Sequence, residues 1–264
     1  MTLHPVSISL SSYGADLVGE RGQAWFIDLL ADAQASYIEL REELGLPADK
    51  AALAAAIQSR GLHCVYSSPM ELWAADGTLQ QEVLTTALVN AQACGAQWLK
   101  VSLGYYPAHA DLGALREHLQ ASPVRVLVEN DQTPQGGRID ALARFFRAAG
   151  EQNVAVGMTL DIGNWQWQGQ ALSDALTQLG RYVEYVHCKG VQRNVADKLV
   201  ATPPTVVDLH LWEQVMQRLR PGVLRAIEFP LQGADLAAVT REQVATLARL
   251  GQAQSVPHEV PDHV

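Results

Sequence analysis

The chain has 264 residues, of which 48 % are hydrophobic, enough for one sizeable core, and its formal net charge of −9 argues against nucleic acid or an anionic membrane surface as a partner. Its three cysteines, Cys64, Cys94 and Cys188, show no CxxC spacing, which favours reduced thiols in a cytoplasmic protein over a disulfide framework. The N-terminus lacks the basic and apolar regions of a secretory signal, and no apolar run approaches the roughly 20 residues of a membrane helix.

Residues 6–10 alternate as a strand does, and residues 25–30 follow at helical spacing. Residues 37–42 form the next strand and its exit, closed by Leu46-Pro47. The alanine-rich stretch 49–60 predicts a helix that stops at Gly61, a glycine suited to the left-handed position after a helix. A third strand over 62–66 is stopped by Ser67-Ser68-Pro69, an amphipathic helix over 79–94 ends at Gly95, and a fourth strand covers 98–103 before Gly104. The rhythm repeats with a helix over 112–120, a strand over 124–129 and a helix over 139–149 that ends at Gly150. A strand running to Asp161, a helix over 171–179 stopping at Gly180 and a strand over 182–187 come next. A longer connection containing Pro203-Pro204 leads into a helix over 208–220, a strand over 223–229 and a last helix over 236–250.

Eight strand–helix units without a shift in composition predict an α/β chain folded as one (β/α)8 TIM barrel over residues 1–250, with 251–264 as an irregular tail. The competing architecture, a doubly wound open sheet, is weakened by the lack of a GxGxxG after the first strand. In a barrel the C-terminal strand ends converge on one face. Four consecutive strands end on polar groups there: Glu129 in Val-Leu-Val-Glu, Asp161 in Met-Thr-Leu-Asp, His187 in Tyr-Val-His and Glu228 in Ala-Ile-Glu. Any one of these alone reads as a helix cap or a solvated strand end. Three converging carboxylates would repel one another without a cation, and with one imidazole they make an oxygen-rich set suited to one divalent ion, Mn²⁺, Mg²⁺ or Co²⁺, with Zn²⁺ also admissible.

This order of Glu, Asp, His and Glu on strands five to eight resembles the xylose isomerase-like TIM barrels of the sugar isomerase/epimerase superfamily, and in particular the ketose 3-epimerases of the D-tagatose/D-psicose type. The resemblance covers essentially the whole chain. It implies that Glu129, Asp161, His187 and Glu228 hold one metal ion, that Glu129 and Glu228 also exchange the substrate proton, and that Arg193, six residues past the histidine, contacts substrate. It also implies a homodimer or homotetramer. Two positions depart from the family: Asn164 stands where the epimerases usually carry a histidine, and His187-Cys188-Lys189-Gly190 replaces His-x-Lys-Asp. The chemistry fits by itself as well. Epimerising or isomerising a ketose removes a proton next to a carbonyl, a metal would stabilise the enediolate charge, and a carboxylate on each face would invert the centre.

Further candidates for substrate contact are Glu39 at the end of the second strand, Lys100 inside the fourth, and Trp165 and Trp167 after the aspartate, each of which also reads as a cap, a rim lysine or a core aromatic. Tyr105-Tyr106 are similar. His63 and Cys64 read as packed core residues, and Lys189, Arg193 and Lys198 as a basic loop that could serve a phosphate. His258, Glu259, Asp262 and His263 resemble a metal cluster only on paper. Three other functions compete. An inosose-type dehydratase would release water, and a sugar-binding barrel would bind metal without proton exchange. The endonuclease IV branch needs several metals and a grip on DNA, against which stand only eight histidines and the charge of −9.

Overall fold

The computed structural model describes residues 3–251. The barrel strands are β1 (Val6–Ser9), β2 (Tyr37–Arg41), β3 (His63–Trp73), β4 (Trp98–Gly104), β5 (Arg125–Glu129), β6 (Gly157–Asp161) and β7 (Val183–Cys188). A hairpin, β8 (Gly190–Arg193) and β9 (Leu199–Thr202), precedes the last barrel strand β10 (Leu224–Ile227). Parallel pairing closes the ring in the order β1-β10-β7-β6-β5-β4-β3-β2, the (β/α)8 barrel expected from the strand count. The helices are α1 (Ala15–Arg21), α2 (Phe26–Asp32), α3 (Lys50–Ser59), α4 (Gln81–Ala93), α5 (Gly113–Gln120), α6 (Ile139–Glu151), α7 (Leu172–Leu179), α8 (Val206–Arg218) and α9 (Leu236–Arg249). No helix among the described residues is long and apolar enough to cross a membrane.

The helices form because one stripe of each is apolar and can be buried on the sheet. On α6 the stripe is Ile139, Leu142, Phe145, Phe146 and Ala149, all buried. Asp49, Thr205 and Asp235 supply side-chain caps to α3, α8 and α9, and Thr205 with Asp208 makes a reciprocal capping box. Inside the ring, Val65, Leu127, Tyr185, Leu224 and Ala226 pack into a cluster of their own. Period two then puts the residue two positions on, toward each strand's C-terminal end, on the same inward face. An apolar floor thus lies beneath a polar layer: Leu127 below Glu129, Tyr185 below His187, Ala226 below Glu228.

Several local expectations are corrected. β3 does not stop at Ser67-Ser68-Pro69 but runs on to Trp73, with a shift of register between Ser67 and Glu71 that accommodates the proline. The connection holding Pro203-Pro204 contains the hairpin β8–β9, turned at Asn194, whose Oδ1 accepts from the N–H groups of Ala196 and Lys198. α1 was not foreseen. Gly61 and Gly95 take the expected left-handed φ, +72° and +69°, whereas α6 passes Gly150 and its reversal falls on Asn153 at φ +54°. Gly180 is right-handed. Cys64 is buried, but His63 is exposed beside Tyr37 and Gln97. The tail cluster His258, Glu259, Asp262 and His263 lies outside the described residues.

Gly104, at the end of β4, has φ +72°, and a Cβ there would meet the Trp73 carbonyl oxygen at 2.3 Å and Glu71 Cβ at 2.8 Å. Gly22 has a similar φ of +74° with open space around it. Gly104→Ala is therefore expected to lower stability by about 1–3 kcal/mol more than Gly22→Ala, since both add backbone strain but only the first adds a clash with backbone. Thermal or urea unfolding of the two variants checks the ranking, and equal losses would contradict it.

Candidate metal centre

Glu129, Asp161, His187 and Glu228 stand at the C-terminal ends of β5, β6, β7 and β10, and one ligand atom from each lies within 4.8 Å of all the others. His187 Nδ1 is 3.0 Å from Glu129 Oε1, 2.9 Å from Glu228 Oε2 and 4.0 Å from Asp161 Oδ2. Glu129 Oε1, Asp161 Oδ2 and His187 Nδ1 are all buried without a hydrogen-bond partner. Buried polar atoms left unpaired are costly. Three of them facing one point, with a fourth carboxylate alongside, fit a divalent cation that prefers oxygen and tolerates one nitrogen.

The surrounding residues fix which atom faces the centre. Asp161 Oδ1 accepts from the N–H groups of Gly163 and Asn164, both at 2.9 Å, which turns Oδ2 inward. Asn130 clamps the same strand end, donating to the Asp161 carbonyl at 2.9 Å and accepting from its N–H at 2.8 Å. On the far side of the ring, His187 Nε2 donates to Glu39 Oε2 at 2.8 Å, and Tyr185 Oη donates to the same oxygen at 2.7 Å. A carboxylate behind a histidine sets the tautomer and aims the other nitrogen at the metal.

The carboxylates are held by cations. Lys100 pairs with Glu129. Lys189 Nζ lies 2.7 Å from Asp161 Oδ2, at an angle that makes an ion pair rather than a hydrogen bond, and 3.0 Å from Glu228 Oε2. Arg41 reaches Glu228 at 3.1 Å and Glu39 at 3.3 Å. Burial opposes ionisation of Glu39, but His187, Lys100 and Arg41 outweigh it and bring its pKa down to about 2. Asp161 goes the other way: burial pushes it up to about 7, with Glu228 and Glu129 adding to the rise against the pull of Lys189. Burial disfavours an imidazolium at His187, yet Glu228, Glu39 and Glu129 raise its pKa well above the usual value. Burial at Asp161 and the surrounding carboxylates at His187 thus favour protons there, with which a bound cation would compete.

A cleft of about 360 Å³ opens above these residues, within the size range of small-ligand sites. Lys100 and Asn164 line it, as does Lys189 of the basic loop, and so do Arg41, Ser67, Ser68, Gln132 and Thr133, which the sequence did not single out as contacts. Arg41 was legible, since it follows Glu39 by two on one strand face, and Lys189 follows His187 by two. Three expected contacts are placed elsewhere. Glu39 is fully buried and turned to His187. Trp165 is 1 % exposed and belongs to the core. Arg193 points out of β8 to Asp197, with its side chain 60 % exposed. Trp167 stands by the Lys189 ammonium, 6.0 Å from ring centre to Nζ. Tyr105 is exposed and Tyr106 packs against Trp73 and Phe145.

Fold and cluster together define a (β/α)8 barrel with a candidate metal centre at the mouth where active sites of this fold sit. Residues 27–222 match the model of the family described as xylose isomerase-like TIM barrel, and the chain belongs to that family. No curated protein matches the sequence. Among solved structures, D-psicose 3-epimerase from Clostridium cellulolyticum H10, determined with D-tagatose, superposes with a TM-score of 0.69 over 95 % of this chain and 99 % of its own, at 13 % identity. An L-ribulose 3-epimerase gives 0.63 over 97 % and 100 % at 15 % identity. The IolI protein with a bound zinc atom gives 0.64 over 95 % and 96 % at 13 % identity. At such identities the likeness establishes the fold.

Asp161→Ala is expected to abolish Mn²⁺ binding measured by calorimetry, and full occupancy in that variant would remove Asp161 from the ligand set. Glu39→Gln leaves every ligand in place but takes the charge from behind His187, and should weaken the metal by about 10–100-fold. In the wild type, affinity should fall as pH drops below about 7, because protons on Asp161 then compete with the ion.

Proposed function

We propose that the protein is a divalent-metal-dependent sugar epimerase or isomerase, acting on a ketose or keto-sugar by proton transfer at the carbon next to the carbonyl. The observation that carries this reading is the convergence of three buried ligand atoms without a hydrogen-bond partner, with Glu228 beside them, beneath an open polar cleft. The family and the epimerases among its structural neighbours support it.

Glu129 and Glu228 approach His187 from β5 and β10, on either side of β6 and β7. Each directs one oxygen to the common point and the other to a cation, Glu129 Oε2 to Lys100 and Glu228 Oε1 to Arg41. Burial favours the neutral acid in both, but Lys100 and His187 at Glu129, and His187 and Lys189 at Glu228, hold both pKa values below the ordinary carboxylate range. Both are therefore ionised at neutral pH and available as bases. A weak base of this kind needs an acidified C–H bond, and a bound divalent ion supplies that as a Lewis acid on the substrate carbonyl. One glutamate takes the proton, the enediolate forms, and return of a proton by the other glutamate to the opposite face inverts the centre. Return by the same glutamate to the neighbouring carbon moves the carbonyl instead.

The test is a panel of ketoses incubated in D₂O with the Mn²⁺-loaded protein. Deuterium at the carbon next to the carbonyl is expected, with product of unchanged mass apart from the label; loss of water would show a dehydratase. Glu129→Gln and Glu228→Gln keep an oxygen ligand but no base. They should retain part of the metal while turnover falls by about 10²–10⁴-fold. Wild-type turnover in both variants would leave the carboxylates as ligands only.

A further inference from the structure

Neither Arg193, the substrate contact the family resemblance implies, nor the side-chain amide of Asn164, at the position where this chain departs from the family, is free to bind a substrate in this cleft. Asn164 stands in place of the usual histidine, and both ends of its side chain are used: Nδ2 donates to the Asn130 carbonyl at 2.9 Å, and Oδ1 accepts from Gln132 at 3.1 Å. Arg193 is tied to its own hairpin by the Asp197 carbonyl at 2.7 Å and carboxylate at 3.3 Å. The cleft is nevertheless not short of cationic donors. Lys189 lines it, is only 7 % exposed, and brings Nζ to 3.0 Å or less from one oxygen each of Asp161 and Glu228.

The placement of Lys189 is built into the backbone. Its stem crosses Gly163 so closely that a Cβ there would meet Lys189 Cγ at 2.8 Å and Val191 Cγ2 at 2.7 Å. Gly163 itself is pinned by donating to Asp161 Oδ1. A side chain at position 163 would require the Lys189 stem and Val191 to shift. The same oxygens that Lys189 contacts are those turned toward the metal point, so the ammonium sits at the boundary between the ligand set and the open cleft.

We propose that Lys189 is a catalytic residue of the proposed proton transfer: its ammonium donates to the substrate oxygen that becomes negative in the enediolate, taking over the contacts Asn164 and Arg193 do not make. A divalent ion draws charge from Asp161 and Glu228 and loosens their hold on Lys189, which leaves its N–H groups free for a substrate oxygen next to the ion. Lys189 stays protonated throughout. The C–H bond breaks toward a glutamate, its electron pair becomes the carbon–carbon double bond, and the carbonyl pair moves onto the oxygen that Lys189 faces. A fixed ammonium in a buried, polar site stabilises that charge without reorganisation.

This inference rests on the proposed epimerase or isomerase reading, and the experiment separates the two. Lys189→Met removes the charge but keeps most of the stem. It should bind Mn²⁺ at least as tightly as the wild type, because a competing cation has gone, while ketose turnover falls by about 10²–10³-fold. Binding of glycolohydroxamate, a small enediolate mimic, to the Mn²⁺-loaded protein gives a readout independent of turnover and should weaken about tenfold or more. Turnover and mimic binding equal to wild type would overturn the role of Lys189 alone, and loss of Mn²⁺ from the variant would reduce it to a structural counter-ion. Wild-type protein that neither turns over a ketose nor binds the mimic would overturn both readings. Should Lys189→Met fail to fold, Lys189→Arg keeps the ion pairs, and wild-type turnover in it would equally overturn the proposal, since the larger planar head cannot place its donors where the ammonium stood.

Discussion

The mouth of this barrel depends on one constraint: four carboxylates, Glu39, Glu129, Asp161 and Glu228, are brought into contact with a single histidine in a place water barely reaches. Like charges so close cannot all stay ionised unless cations hold them. The chain supplies three, Arg41, Lys100 and Lys189, which leaves one uncompensated negative charge when His187 is neutral. Asp161 shows that shortage, its carboxyl pushed up to about 7 by burial, with Glu228 and Glu129 adding to the rise. A divalent ion answers the same shortage better than protons do. It would satisfy at once three atoms that lack a hydrogen-bond partner, and it would turn the excess of negative charge into an excess of positive charge.

The barrel makes this arrangement possible through period two and closure. Inward positions two residues apart stack, so an apolar floor of Leu127, Tyr185 and Ala226 carries a polar layer of Glu129, His187 and Glu228. Tyr185 joins the layers, since its ring packs in the floor while its hydroxyl reaches Glu39 and Ser7. Small residues give the layer its compactness. A Cβ at Gly157 would meet the Leu127 side chain at 2.7 Å, directly under Glu129, and Gly163 gives Lys189 its path.

The fold and the four strand-end residues were legible because both rest on local pattern: alternating apolar runs, glycine stops, and a polar residue where each run ends. The partner choices of individual side chains were not. Glu39 ends a strand as Glu129 does and looks the same in sequence, yet β2 lies across the ring from β7, so its carboxylate meets the back of His187 rather than the cleft. Trp165 follows Asp161 through a short 3₁₀ turn that swings it into the core. Arg193 is on a hairpin whose strands are four residues each, too short to show a readable alternation. Ser67-Ser68-Pro69 has the composition of a stop, but pairing with β4 resumes beyond the bulge at Glu71, a long-range interaction that composition does not encode.

The two glutamates are not equivalent, and the difference follows from their cations. Glu129 has Lys100 as its cationic partner, whereas Glu228 is held by Lys189 and Arg41 together. The carboxyls of both are held below the ordinary carboxylate range, Glu129 by Lys100 and His187 and Glu228 by His187, Lys189 and Lys100. A carboxylate gripped by more positive charge is the weaker base and, once protonated, the more willing acid. A metal bound by Asp161 and Glu228 would loosen Lys189, but Arg41 would keep its hold, because it is also anchored to Glu39 at 3.3 Å and Glu43 at 2.8 Å, neither of which belongs to the candidate ligand set. The asymmetry would therefore persist in a loaded site. On the proposed reading, Glu228, held by two cations where Glu129 has one, is the glutamate better placed to return a proton, and Glu129 the one better placed to take it.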